Sequence, residues 1–154
     1  MTFRIVGLDP APFHALHALS DADISARGVR RVRVEHAHSA PCRISLDDAS
    51  IGETVLLLNH THQPAQTPYR QQGPIFVRET KQRAVYEGDT PPALARRTLS
   101  LRGFDADDMM IEADLVEGKD AAVLIQRFLT NPNVAYIHAH YARRGCFAAS
   151  ISRA

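Results

Sequence analysis

A single clear helical stripe, set in a chain otherwise built of short alternating segments, is the feature that most constrains how this sequence can fold. After Gly118, apolar side chains recur at Ala121, Leu124, Ile125 and Phe128. That is the i, i+3, i+4, i+7 spacing of a helix that lays one face on a core, and Asn131-Pro132 ends it. A weaker stripe follows Asp9-Pro10, where Phe13, Leu16 and Leu19 recur at helical intervals; Asp9 is placed to cap this helix and Pro10 to open it. Helices are therefore expected near residues 10–19 and 119–130, the first giving way to the polar stretch Ser20 to Gly28.

Most of the remainder reads as strand. Phe3–Val6, Val29–Glu35, Thr54–Leu58, Pro74–Arg78, Thr98–Phe104, Met109–Glu117, Val134–Tyr141 and Cys146–Ser152 alternate or run apolar over strand lengths. Thr54–Leu58 is the most continuously apolar and is expected to lie centrally. Arg27, Arg30, Arg31 and Arg33 make Val29–Glu35 a charged edge strand. Thr98–Phe104 and Met109–Glu117 form a hairpin about the acidic tip Asp105–Asp108. Residues 63–73, with Pro64, Pro68 and several glutamines, read as a long irregular loop of the kind that carries function, and Pro91-Pro92 starts a short helical turn. Strands joined by short loops pair antiparallel. The expected fold is α+β, a mostly antiparallel sheet of six to eight strands with two helices covering one face. Its 154 residues make a single domain spanning 1–154.

Composition excludes several classes of function. Apolar residues make up 45% and charged residues 23% of the chain, a globular balance rather than a disordered one. The formal charge is +1 and aromatics are only 6%, so neither a nucleic-acid groove nor an anionic membrane surface is expected. The longest unbroken apolar run, Ala121 to Ile125, is far short of the roughly 20 residues that a membrane span needs. Met1-Thr2-Phe3-Arg4 leads straight into mixed sequence, so no secretory signal is expected and the cytoplasm is the expected location. Self-association of the chain is left open.

Histidine is the residue whose spacing carries chemistry. The chain has eight; six of them form the pairs His36/His38, His60/His62 and His138/His140, and His14 and His17 lie one turn apart on the first helix. Two imidazoles at i and i+2 of a strand project from one face about 6–7 Å apart. Two such strands side by side could offer His60, His62, His138 and His140 to Zn, Fe, Ni or Cu, although no carboxylate stands at a matching ligand spacing. The plain alternative is ordinary solvated or packed histidine. Loop length decides how the last pair faces. If Arg143-Arg144-Gly145 is a three-residue hairpin loop, His140 pairs with Ala148 and His138 with Ser150, and both imidazoles point away from the core. Phe147 would then join Tyr141, Ala139, Ile137 and Ile151 in the core. One more loop residue reverses this.

Sixteen of the eighteen basic residues are arginine, whose planar guanidinium holds carboxylate or phosphate with two parallel hydrogen bonds. Arg43, Arg70 and Arg78 stand beside turns in Pro41-Cys42-Arg43, Pro68-Tyr69-Arg70 and Gly73-Pro74-Ile75-Phe76-Val77-Arg78, where they could converge on a small anion. The two cysteines, Cys42 and Cys146, are too few and too far apart for a disulfide scaffold or a Cys-x-x-Cys metal knuckle. Whether they pair with each other is left open. Either is a candidate nucleophile, with His140 as the candidate base.

Pro41-Cys42-Arg43, Gly52-Glu53, His62-Gln63-Pro64, Pro68-Tyr69-Arg70, Gly73-Pro74-Ile75-Phe76-Val77-Arg78 and His138-Ala139-His140 leading to Gly145-Cys146 together resemble the bacterial family known as domain of unknown function 1203. The likeness runs from about Val29 to Arg153 and carries no activity with it. The family pattern meets this chain at Cys42, Arg43, His62, Tyr69, Arg78, His140 and Cys146, without requiring His36, His38, His60 or His138. The resemblance therefore implies a mixed site of Arg43, His62, Tyr69, Arg78 and His140, with a thiol nearby, suited to a small anionic ligand. The rivals are a metal-dependent or Cys/His enzyme using the histidine pairs, and a protein-interaction module with Val29–Glu35 as its exposed edge.

Overall fold

Alternation along nine short strands sorts their apolar side chains into two sheets rather than one. In the computed structural model, which describes residues 2–154, the strands are β1 (Phe3–Val6), β2 (Arg30–Arg33), β3 (Thr54–Gln63), β4 (Gln71–Val77), β5 (Val85–Glu87), β6 (Thr98–Phe104), β7 (Met110–Glu117), β8 (Tyr136–Tyr141) and β9 (Phe147–Arg153). Six of them form an antiparallel sheet in the order β5-β1-β9-β8-β6-β7, and β2-β3-β4 form a second. The fold is α+β and mostly sheet, as the sequence implied. Strand β3 is central in its own sheet, and the arginine-bearing β2 is an edge.

Four α-helices are present among the described residues: α1 (Ala11–His17), α2 (Asp21–Ala26), α3 (Pro92–Ala95) and α4 (Ala121–Leu129). The polar stretch after the first helix is itself helical, because the Ser20 hydroxyl accepts the Asp23 N–H and starts a new turn. Asp9 accepts the Ala11 N–H at 3.0 Å, and Pro10 stands at the cap, so the helix opens one residue later than expected. The expectation of two helices over one face needs correction. Helix α4 buries Ala121, Leu124, Ile125 and Phe128 against one face of the six-stranded sheet, with Phe3, Ile5, Leu101, Ile137 and Ile151. Helices α1 and α2 instead bring Phe13 and Ile24 to the smaller sheet, against Leu56, Leu58, Ile75 and Val77. Each apolar stripe found its own sheet. None of the described helices is long and apolar enough to cross a membrane.

The segment Pro41–Leu46 ties the two sheets together. The Arg43 N–H donates to Phe76 O of β4, its C=O accepts from Leu8, and its guanidinium Nε donates to Phe147 O of β9 at 2.7 Å. The long loop is shorter than expected, residues 64–70, because β3 continues through Gln63 and β4 begins at Gln71.

Candidate functional site

One face of β6, β8 and β9 packs on α4; the other carries the polar side chains. Directly paired residues share a face, so Arg102 opposite His138 and Ser100 opposite His140 put both imidazoles and a guanidinium on the face away from α4. The β8–β9 hairpin combines the two registers that its loop length left open. Residues 142–145 form the loop, with Gly145 N–H donating to Tyr141 O and Tyr141 N–H to Cys146 O. Near the turn His140 stands opposite Phe147, not Ala148. One bulged residue, Ala148, then restores the expected pairing of His138 with Ser150. Phe147 consequently lies on the histidine side rather than in the α4 core.

Three such bulges surround one cavity of about 300 Å³. They fall at His62 on β3, at Ala148 on β9 and at Ile111 on β7. Bulges re-aim side chains and cluster beside functional sites. Here they bring His62, His138 and His140 to the cavity with Arg102, Tyr69 and Gln71. The three imidazoles surround the Phe147 ring, with centroid separations of 5.1, 5.2 and 5.9 Å, and His62 is stacked on it. His60 lies farther out, between Phe13 and Phe147. This is why the four-imidazole set expected for Zn, Fe, Ni or Cu is not assembled. His62 and His140 lie ring to ring at 4.9 Å, with the Phe147 ring packed against all three inner imidazoles, and among the described residues no three His, Cys, Asp or Glu side chains are arranged to hold a metal ion.

Hydrogen bonding sets the tautomers of His62 and His140. Arg102 can only donate, so Gln71 Oε1, which takes its Nη1–H at 3.1 Å, is an acceptor, and His62 must offer it Nε2–H at 3.2 Å. His62 Nδ1 is then a bare lone pair, buried and without a partner among the described residues. His140 gives Nδ1–H to Gly145 O at 2.9 Å, which leaves its Nε2 as a lone pair. His138 Nδ1 is likewise buried and unpartnered. Burial lowers all three from the ordinary histidine value, His138 to about 4 and His140 to about 3. They are neutral near pH 7 and present bare nitrogens that can accept hydrogen bonds. Positive charge in the cavity comes from Arg102, half-buried, desolvated and free of any carboxylate ion pair among the described residues. At the rim stands Arg70, which donates to Pro64 O.

The five residues expected to form one site are divided. His62, Tyr69 and His140 share this cavity. Arg43 lines a second one, beside Cys146. Arg78 joins neither, because it is paired with Glu53 and Asp47, and its hydrogen bond to Glu53 raises its own value and lowers that of Glu53. Both cysteines are free. Cys42 is fully buried, its sulfur facing the Ile44 and Arg78 N–H groups. His36 and His38 are exposed, with His38 against Asp48; His14 is exposed on α1 and His17 half-buried. Sequence reasoning missed Arg102, since its cross-strand position opposite His138 exists only once β6 pairs with β8.

Phe147 is only 3% exposed, and truncating it to alanine removes the ring on which the three imidazoles pack. A loss of about 3–5 kcal/mol in urea unfolding is expected for Phe147→Ala. A cost below about 1 kcal/mol would mean that the histidine cluster holds itself.

A family model described as protein of unknown function (DUF1203) matches residues 39–153, which include every residue lining the first cavity and all but His38 of the second. No curated protein and no solved structure is significantly similar to the chain.

Proposed function

Because the chain belongs to the DUF1203 family, whose description assigns no activity, we propose its function from the site: a cytoplasmic domain that binds a small, hydroxyl-bearing anion in the cavity between the two sheets. Arg102 takes the charge of the anion, with Arg70 at the rim, in the place where the sequence suggested Arg43 and Arg78. His62 and His140 accept hydroxyl protons from the ligand, and Tyr69 supplies an aromatic wall. The observation that carries this reading is a guanidinium without a carboxylate beside imidazole lone pairs in one cavity. Neutral imidazoles are poor partners for an anion by themselves. They suit a ligand with protons to give, which is what a hydroxyl beside a phosphate or carboxylate provides.

Thermal unfolding in the presence of phosphate, citrate or glucose 6-phosphate tests the reading. A ligand at about 100 times its Kd stabilises by roughly 2.7 kcal/mol, a rise of about 5–10 °C for a chain of this size. The hydroxyl-bearing anions should raise Tm saturably, Arg102→Gln should abolish the rise, and Arg143→Gln, in the second cavity, should keep it. A response no different from that to sodium chloride, or one unchanged in Arg102→Gln, would overturn it.

A further inference from the structure

The second cavity, of about 460 Å³, lies on the other side of the β8–β9 loop. Its inner wall is Arg43, 1% exposed. That guanidinium donates to Phe147 O, Pro41 O and, through Nη2 at 3.1 Å, the Cys146 sulfur. It forms no ion pair with a carboxylate among the described residues. A buried cation whose acceptors are all neutral or thiol is held at a cost that an anion would relieve. Tyr141 also lines the cavity. Its ring lies under the guanidiniums of Arg43 and Arg97 at 4.9 and 5.2 Å, and its buried hydroxyl has no partner among the described residues. Arg96, Arg143 and Arg144 complete the wall, against Glu117 and, behind Arg97, Asp48. Five arginines thus face two carboxylates. Cys146 is half-buried and reaches the cavity.

We propose that this cavity is a second, separate site that takes a small anionic electrophile, with Cys146 as its nucleophile and Arg43 as the group that holds the sulfur. Arginine replaces histidine in this role, because His140 is engaged with Gly145 O and lines the other cavity. In the reaction the Cys146 thiol proton leaves to solvent and the sulfur pair forms the new bond to the electrophilic carbon. The leaving group departs with the electrons of the bond it gives up. Arg43 stays protonated throughout, and Arg143 and Arg144 hold the charge of the substrate.

Paired alkylation with iodoacetate and iodoacetamide, followed by peptide mapping, tests this directly. Both probes form an S–C bond and expel iodide, and only the first is an anion. The iodoacetate-to-iodoacetamide rate ratio at Cys146 should exceed that of N-acetylcysteine by about tenfold, the low end of electrostatic focusing by a charged cleft. Exposed Arg143 and Arg144 can be changed without disturbing the core, and in the double variant Arg143→Gln, Arg144→Gln the ratio should return to within about twofold of the free thiol. Fully buried Cys42 should stay unlabelled in the native protein. A ratio at Cys146 equal to that of N-acetylcysteine, a ratio that survives the double variant, or no labelling of Cys146 at all would each overturn the proposal.

Discussion

Lowering the pH from 7.5 to 5 is expected to cost the protein about 2 kcal/mol of stability for each of His138 and His140. Burial holds the folded His138 at about 4 and His140 at about 3, against 6.5 for an unconstrained histidine. The unfolded chain therefore takes up protons as the pH falls through 6.5, while the folded chain does not. Acid favours whichever state binds more protons, so stability is complete above about 7, begins to fall near 6.5, and keeps falling until the folded imidazoles protonate. Glu53 is lowered by its bond to Arg78 and so works against no part of this window. His17, His60 and His62 are lowered by burial too and add to the same slope. The measurement is urea unfolding at several pH values. Between pH 6 and 5, His138→Gln should remove about one proton's worth of slope, roughly 1.4 kcal/mol per pH unit. That readout survives any uniform loss of stability caused by the substitution. A variant with the slope of the parent would show that His138 protonates freely in the folded protein.

Gly7→Ala is expected to cost more than about 3 kcal/mol, enough to unfold a domain of ordinary stability at modest temperature. Gly7 follows β1, where three stretches of backbone meet. Its N–H donates to Ala84 O, its C=O accepts from the Arg83 guanidinium, and the next N–H, of Leu8, donates to Arg43 O. A Cβ at this position would lie 2.1 Å from Ile44 O and 3.2 Å from Arg43 O. Both obstacles are backbone, and neither can swing aside as a side chain would. The matched control is Gly73→Ala, where an added Cβ meets nothing within 4 Å; its effect should lie within about 0.5 kcal/mol. Equal Tm values for the two variants would show that the contact around Gly7 relaxes at little cost. Since the same backbone carries Arg43, Gly7→Ala protein that does fold should also show altered reactivity at Cys146.

Local patterns carried much of the fold. The α4 stripe, the hairpin around Asp105–Asp108, the central strand within β3 and the charged edge β2 all follow from short-range periodicity and turn chemistry, which act before any distant contact forms. The candidate site was legible only in fragments. His62, Tyr69 and His140 were recognisable as chemistry-bearing residues and do meet. Arg43 and Arg78 looked like their equals, yet Glu53 and Asp47 claim Arg78, and the β8–β9 loop stands between Arg43 and the imidazoles. Arg102 gave no sign of its importance, since a lone arginine in an alternating strand is indistinguishable from a solvated one.

By itself, the sequence determined most of the strands and helices, though not α2 or β5, that the strands run antiparallel, and that histidine and arginine are its available chemistry. These depend on spacing along the chain, and spacing is local. Tertiary structure decided the division into two sheets, each with its own helices, and the three bulges, of which those in β3 and β7 put His62 and Met110 in one cavity while that in β9 turns Phe147 to the histidine side. It also decided that Arg102 rather than Arg78 faces the imidazoles. A bulge shifts register by one residue, and a one-residue shift exchanges the two faces of a strand. Such a shift is set by how strands far apart in sequence fit together, which no local pattern records.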